Sequence, residues 1–152
     1  MTDAGWPAVS ELIPHAGPMR LLARVVAHTP DATTCELEVA ASALFADANG
    51  AVPAWLALEW MAQCCAVHGG LAARDVGAPP ARGMLVGSRR LDLARRSFGR
   101  AETLRVSARF VGTAGALASF ACELRDAAGV VASGTLSLYV SSAFSPALTE
   151  QS

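Results

Sequence analysis

The sequence predicts an α+β domain in which one long apolar helix is covered by a curved antiparallel sheet. Two observations predict it. The run VPAWLALEWMAQCCAV, Val52 to Val67, contains one ionisable side chain, Glu59, and one amide, Gln63. A helix that is apolar on every face belongs in an interior. Around it lie six stretches of strand character, two before and four after. They are joined by short turn-forming segments, and strands joined that way become antiparallel neighbours. At 152 residues the chain fits a single domain, 1–152, large enough to bury a core without disulfides or metals.

The elements follow in order. Met1 to Ser10 reads as a loose arm, and ELIPHAGP, Glu11 to Pro18, as a stiff loop that holds His15 between two prolines and a glycine. MRLLARVVAHT, Met19 to Thr29, and TTCELEV, Thr33 to Val39, form a hairpin across the turn Pro30 to Ala32. AASALFADANG ends in an Asn49-Gly50 turn ahead of the helix, whose first turn would accommodate Pro53. Gly69 and Gly70 are a first stop signal, with LAARDVG able to prolong the helix. Four strands follow: Met84 to Ala94, Thr103 to Val111, Leu117 to Arg125 and Val130 to Val140. Breaks at Ser97-Phe98-Gly99, Gly112 to Gly115 and Asp126 to Gly129 separate them. The end of the chain, 142–152, reads as a frayed tail.

A net charge of -1 gives no polyanion-binding surface, and the twelve basic residues are all arginine, as a GC-rich genome would produce. The amino terminus lacks a basic and apolar leader, and Val52–Val67 is shorter than the ~20 residues of a spanning helix. A soluble, cytoplasmic protein with no membrane or nucleic-acid partner is expected. Cys35, Cys64, Cys65 and Cys122 form no CxxC pair and have no histidine at ligand spacing, so they read as buried hydrophobes; neither metal nor cofactor is expected.

Glu59 has no cation at i±3 or i±4. In apolar surroundings its charged form is disfavoured and its pKa raised, by up to ~3 to 5 units if fully buried, which suits a proton donor. A structural Glu bonded to backbone amides, or one at a solvent edge, is the alternative. Of the histidines, His68 falls on the helix face opposite Glu59, at about 100° per residue. His28 ends a strand beside a turn and would be solvated. His15 is either a rigidly held base or a turn histidine bonding a local carbonyl. Asp47, in ADANG, reads as a turn former. Arg89, Arg90, Arg95, Arg96 and Arg100 lie close together with only Asp92 among them, as an acidic partner's docking site or as a solvated strand face. There is no phosphate-binding glycine loop and no GxSxG elbow.

IPHAGPMRLLARV, VPAWLALEWMAQ and LVGSRRLDLARR, in this order, resemble the three signature regions of the β-hydroxyacyl-(acyl carrier protein) dehydratases, over about Leu12 to Val140. The resemblance implies the hotdog fold, a catalytic Glu59, and Gln63, the glutamine one turn later, as a substrate-binding residue. Common bacterial members carry a histidine in a GHFPG motif before the helix; FADANGAV has none here. The divergent dehydratases of aryl-polyene pigment clusters share the PH motif and VPAW and lack that histidine, so the resemblance points to His15 as base. It further implies elimination of water from a 3-hydroxyacyl thioester, with an amide of Gly50, Ala51 or Val52 holding the thioester oxygen. Leu85, Val86 and Gly87 would line an acyl channel, and Arg89, Arg90, Arg95 and Arg96 would dock an acidic acyl carrier protein. The assembly would be a homodimer or higher homo-oligomer, or a heteromer with a second hotdog subunit. A hotdog thioesterase, a non-catalytic acyl-binding or partner subunit, and an enoyl hydratase acting on coenzyme A esters are the competing readings.

Overall fold

The computed structural model describes residues 5–78 and 83–140. Strands β1 (Arg24–His28) and β2 (Ala32–Glu38) form the expected hairpin. A 3-10 segment, Val39–Phe45, leads to the two-residue strand β3 (Val52–Pro53) and then to helix α1 (Leu56–Asp75). Strand β4 (Gly83–Leu93), the two-residue β5 (Ser97–Phe98) and the long strands β6 (Thr103–Ala114), β7 (Leu117–Asp126) and β8 (Gly129–Val140) complete the chain. The main sheet is antiparallel, in the order β1-β2-β6-β7-β8-β4, and β3 pairs with β5 apart from it.

Alternation fixes which face meets the helix. Leu104, Val106 and Ala108 of β6, Phe120, Cys122 and Leu124 of β7, and Leu136 and Leu138 of β8 are buried, while their odd-numbered neighbours face outward. The buried rows close over Leu56, Trp60, Met61, Cys64 and Val67 of α1. Trp60 is fully buried and its Nε1–H donates to Ser42 Oγ at 3.1 Å, which ties the 3-10 segment to the helix.

Several expected boundaries are corrected. Pro53 is not in the helix but in β3, opposite Ser97, and the next amide, Ala54, donates to the Arg96 carbonyl at 2.9 Å. This pairing with β5 keeps the lead-in extended and delays the helix to Leu56. Gly69 and Gly70 lie inside α1; a Cβ at Gly70 would sit 2.5 Å from the Leu12 carbonyl oxygen, so this glycine serves a close crossing. The helix ends instead at Asp75, followed by Gly77 at φ +71. The break at Gly112 is a bulge within β6, and the expected first strand is regular only from Arg24. The described part of the supposed loose arm is docked: Trp6 packs against the core, and Val9 is buried in a 3-10 turn. The tail 142–152 lies outside the described residues.

Candidate active site

Glu59 sits in the first turn of α1, where a carboxylate meets the positive end of the helix dipole. The sheet covers most of the helix but leaves a half-exposed stripe at helical spacing: Leu58, Glu59, Ala62 and Ala66, with Trp55 at the N-terminal end. Of the surroundings left open for Glu59, the structure gives a partly exposed position, with 34 % of the side chain open to solvent, not full burial.

The loop carrying His15 is pinned at both ends. Leu12 and Ile13 are buried before it, Leu21 and Leu22 after it. Gln63, fully buried one turn beyond Glu59, holds the loop's far end. Its Nε2 donates to the Met19 carbonyl at 2.8 Å and its Oε1 accepts the Leu21 amide at 3.0 Å. The other Nε2 proton goes to Glu59 Oε2 at 3.0 Å. These three bonds occupy the amide, so Gln63, expected to bind substrate, instead positions Glu59 and the His15 loop.

The result is a His15 Nε2 to Glu59 Oε2 distance of 3.7 Å within one chain. That is too long for a hydrogen bond, so neither group's proton is committed to the other. The His15 ring is 31 % exposed, while its Nδ1 is buried and has no hydrogen-bond partner among the described residues. Two side chains of this kind, facing each other and open to solvent, can remove one proton and deliver another.

The other expected site residues fall elsewhere. The Gly50 amide donates to the Asp47 carbonyl at 3.0 Å and the Ala51 amide to Asp47 Oδ1 at 3.0 Å. Val52 is fully buried opposite Phe98. The amides of Gly50 and Ala51 are thus withdrawn from the expected oxyanion role, and Asp47 is the turn former it was read to be. Leu85 packs partly buried against the core and Gly87 is half-buried, both on β4 at the sheet edge; the Val86 side chain lies outside the description. Arg89, Arg90 and Arg96 are exposed, Arg90 beside Asp92 at 2.7 Å. Arg95 leaves the expected docking set because its guanidinium is bound by Glu102 and by Asp126 at 3.3 Å and stacks on Phe98. Its hydrogen bonds hold the Glu102 carboxylate below the usual range.

His28, expected to be solvated, is corrected to a partly buried residue: its side chain is 9 % exposed, with Nε2 at 3.6 Å from Asp75 Oδ2. Its Nδ1 bonds Thr33 Oγ1 at 2.7 Å, and the same hydroxyl bonds His68 Nδ1 at 2.8 Å. The hairpin register, which sets His28 opposite Thr33, was the signal for this chain. The four cysteines are free and buried; burial pushes the Cys65 thiol up, and the Cys35 thiol together with burial raises Cys64. No three metal-ligating side chains converge among the described residues. A trough of about 570 Å³, between Arg90, Ser107, Arg109 and Thr135, lies on the outer face of the sheet, away from the pair. A second cleft, of about 460 Å³, borders the lead-in to α1.

Trp55, quoted only within VPAW, and Arg100, read only as a member of the arginine cluster, both border the lead-in to α1. Trp55 is 56 % exposed and edge-on to Phe45; the signal was a tryptophan at the start of an otherwise buried helix. The Arg100 stem lies over Gly50.

A family model described as ApeP dehydratase matches residues 7–149. No curated protein matches the chain. Among solved structures, the dehydratase heterocomplex ApeI:P from Xenorhabdus doucetiae is similar at 24% identity and TM-score 0.84, covering 96% of this chain and 97% of that one. Zebra fish thioesterase superfamily member 2 is similar at 16% identity and TM-score 0.60, covering 82% and 86%. A phenylacetic acid degradation protein from Thermus thermophilus follows at 18% identity and TM-score 0.55, covering 76% and 90%. These likenesses share the helix-and-sheet arrangement described above, the hotdog fold. With a model matched over nearly its whole length, the chain belongs to the ApeP-like dehydratase family.

Proposed function

We propose that this dehydratase removes water from 3-hydroxyacyl thioesters carried on acyl carrier protein, with His15 as base and Glu59 as acid. The observation that supports the reading is the 3.7 Å approach of the two side chains, both open to solvent, in a member of a dehydratase family. His15 Nε2 takes the proton from the carbon next to the thioester carbonyl. Glu59, in its acid form, protonates the hydroxyl on the next carbon, which leaves as water while the double bond forms. Because Gln63 donates to Oε2, the proton Glu59 delivers sits on Oε1. Transfer of the proton from His15 back to Glu59 restores the resting site.

Negative charge builds on the thioester oxygen as the carbon loses its proton. The amides of Ala57 and Leu58 already serve the Ala54 and Trp55 carbonyls, at 3.0 Å each. The earlier amides of the opening turn, Trp55 and Leu56, have no acceptor within the helix and are the donors we assign to that oxygen. The half-exposed stripe of α1 beside Glu59 supports a second hotdog chain, identical or not, as the cover for the site. The exposed Arg89 and Arg90 support steering of an acidic carrier.

The test offers 3-hydroxyacyl thioesters on carrier protein and on coenzyme A and follows both the conjugated enoyl product and free thiol. Enoyl thioester formed without thiol release is the expected result. Thiol release without enoyl product would make the chain a thioesterase, in which Glu59 activates water and His15 is dispensable.

A further inference from the structure

The cleft beside the lead-in to α1 has a basic rim and an apolar wall. Phe45, Ala46, Val52 and Pro53 line one side, Arg96 and Ser97 the other. Arg96 is exposed and makes no ion pair among the described residues, in contrast to its neighbour Arg95. Arg100, equally exposed and equally without an ion pair among the described residues, lies next to the same segment. A Cβ at Gly50 would come within 2.9 Å of the Arg100 Cδ, and Gly50, at φ +84, accommodates that approach by having none. Asp47 also lines the cleft, but its Oδ1 is turned to the amides of Asn49 and Ala51. Arg96 therefore lines the cleft with one carboxylate, whose Oδ1 serves its own turn, and the Arg100 stem runs beside it over Gly50.

The cleft is tied to the catalytic helix. The hydrogen bond from the Ala54 amide to the Arg96 carbonyl ties the arginine's backbone to the segment that leads into α1, two residues before the helix begins. Phe45 and Trp55, in edge contact at 6.2 Å, continue the apolar wall towards the helix's first turn. A ligand lying along this line would carry an anion at one end, a mostly neutral arm in the middle and the reacting group near Glu59.

We infer that this cleft holds the phosphodiester of the substrate's thioester arm, gripped by Arg96 and Arg100. The inference rests on the thioester dehydratase reading above and deepens it. A guanidinium offers a planar fork of donors that matches phosphate oxygens, and the pairing needs no burial to be selective for the anion. Carrier protein and coenzyme A both attach the arm through a phosphate, so both are bound by the same contact. The apolar wall suits the neutral amide-linked arm better than it suits an acidic protein surface.

The experiment compares kcat/KM for one 3-hydroxyacyl group on three thiols: carrier protein, coenzyme A, and N-acetylcysteamine, which has no phosphate. In Arg96→Ala, and more so in Arg96→Ala/Arg100→Ala, the preference for both phosphate-bearing substrates over the N-acetylcysteamine ester falls by about tenfold, through KM, the size of one charge-assisted hydrogen bond. Arg96→Lys restores part of it. An unchanged preference overturns the inference, and so does a loss confined to carrier protein, which would make the arginines a protein-docking surface. If no thioester is dehydrated, the dehydratase reading fails on its own. The subsite is then judged by equilibrium titration with phosphopantetheine and with pantetheine: wild type should bind the phosphate form more tightly, Arg96→Ala should not, and equal affinities in wild type overturn the inference.

Discussion

Helix α1 has a histidine–carboxylate pair at each end, and the two are almost equally close. His15 and Glu59 approach to 3.7 Å at the N-terminal end, His28 and Asp75 to 3.6 Å at the C-terminal end. Their surroundings differ. In the first pair both side chains are about a third exposed, at 31% and 34%. In the second Asp75 is 65% exposed but the His28 side chain only 9%, its Nδ1 is held by Thr33, and the hydroxyl continues to His68, itself stacked edge-on against Phe120 at 5.8 Å. Distance therefore does not distinguish the pairs. Access to the imidazole does: His15 is open to a substrate beside Glu59, whereas the His28 ring is wired into the core and only its carboxylate partner faces solvent.

The strongest way to break this comparison is to remove each imidazole. His15→Ala should lower turnover of 3-hydroxyacyl thioester by about 10²- to 10⁴-fold, the usual worth of a positioned base, with little change in unfolding midpoint. His28→Ala should do the reverse, lowering the midpoint while the folded enzyme turns over at close to the wild-type rate. Gln63→Leu joins the two kinds of effect. It strips the Met19 carbonyl and the Leu21 amide of their partner and frees Glu59, so stability should drop by about 1–3 kcal/mol in denaturant titration and turnover should fall as well.

Thr33→Val sharpens the second region alone. It leaves two imidazole nitrogens without their shared hydroxyl, and should cost about 1–3 kcal/mol of stability without lowering kcat. The smallest expected effect is a pH slope. Burial, reinforced by His28, holds the His68 imidazole below its ordinary range. A base whose folded pKa is depressed binds fewer protons folded than unfolded, so its contribution is complete above the unfolded value and lost as pH falls below it. Unfolding midpoints followed downward from neutral pH should therefore decline more steeply for wild type than for His68→Gln. Equal slopes would remove His68 from the account.

Much of the fold was legible because it depends on local pattern. The apolar run around Trp60 announced a buried helix, and alternation in Leu117–Asp126 announced a strand with one face inward. What stayed illegible depends on distant contacts. Pro53 looked like a helix residue until β5 paired with it, and Gly70 looked like a helix stop because nothing local shows the Leu12 carbonyl crossing it. Glu59 stood out by its own neighbours, whereas Gln63's partners Leu21 and Met19 are 42 and 44 residues away and left no trace. Asp47 was legible as a turn former in ADANG, but which amides that turn would take, those of Gly50 and Ala51, was not.

The most direct measurement sets the two carboxylates side by side. Glu59→Gln and Asp75→Asn make the same chemical change at the two ends of α1, and both variants are assayed for enoyl thioester formed from 3-hydroxyacyl thioester. Glu59→Gln should lose about 10²-fold or more, and Asp75→Asn should stay within about twofold of wild type. A Glu59→Gln enzyme that keeps wild-type turnover, or an Asp75→Asn enzyme that loses as much, would contradict the assignment of catalysis to the open end of the helix.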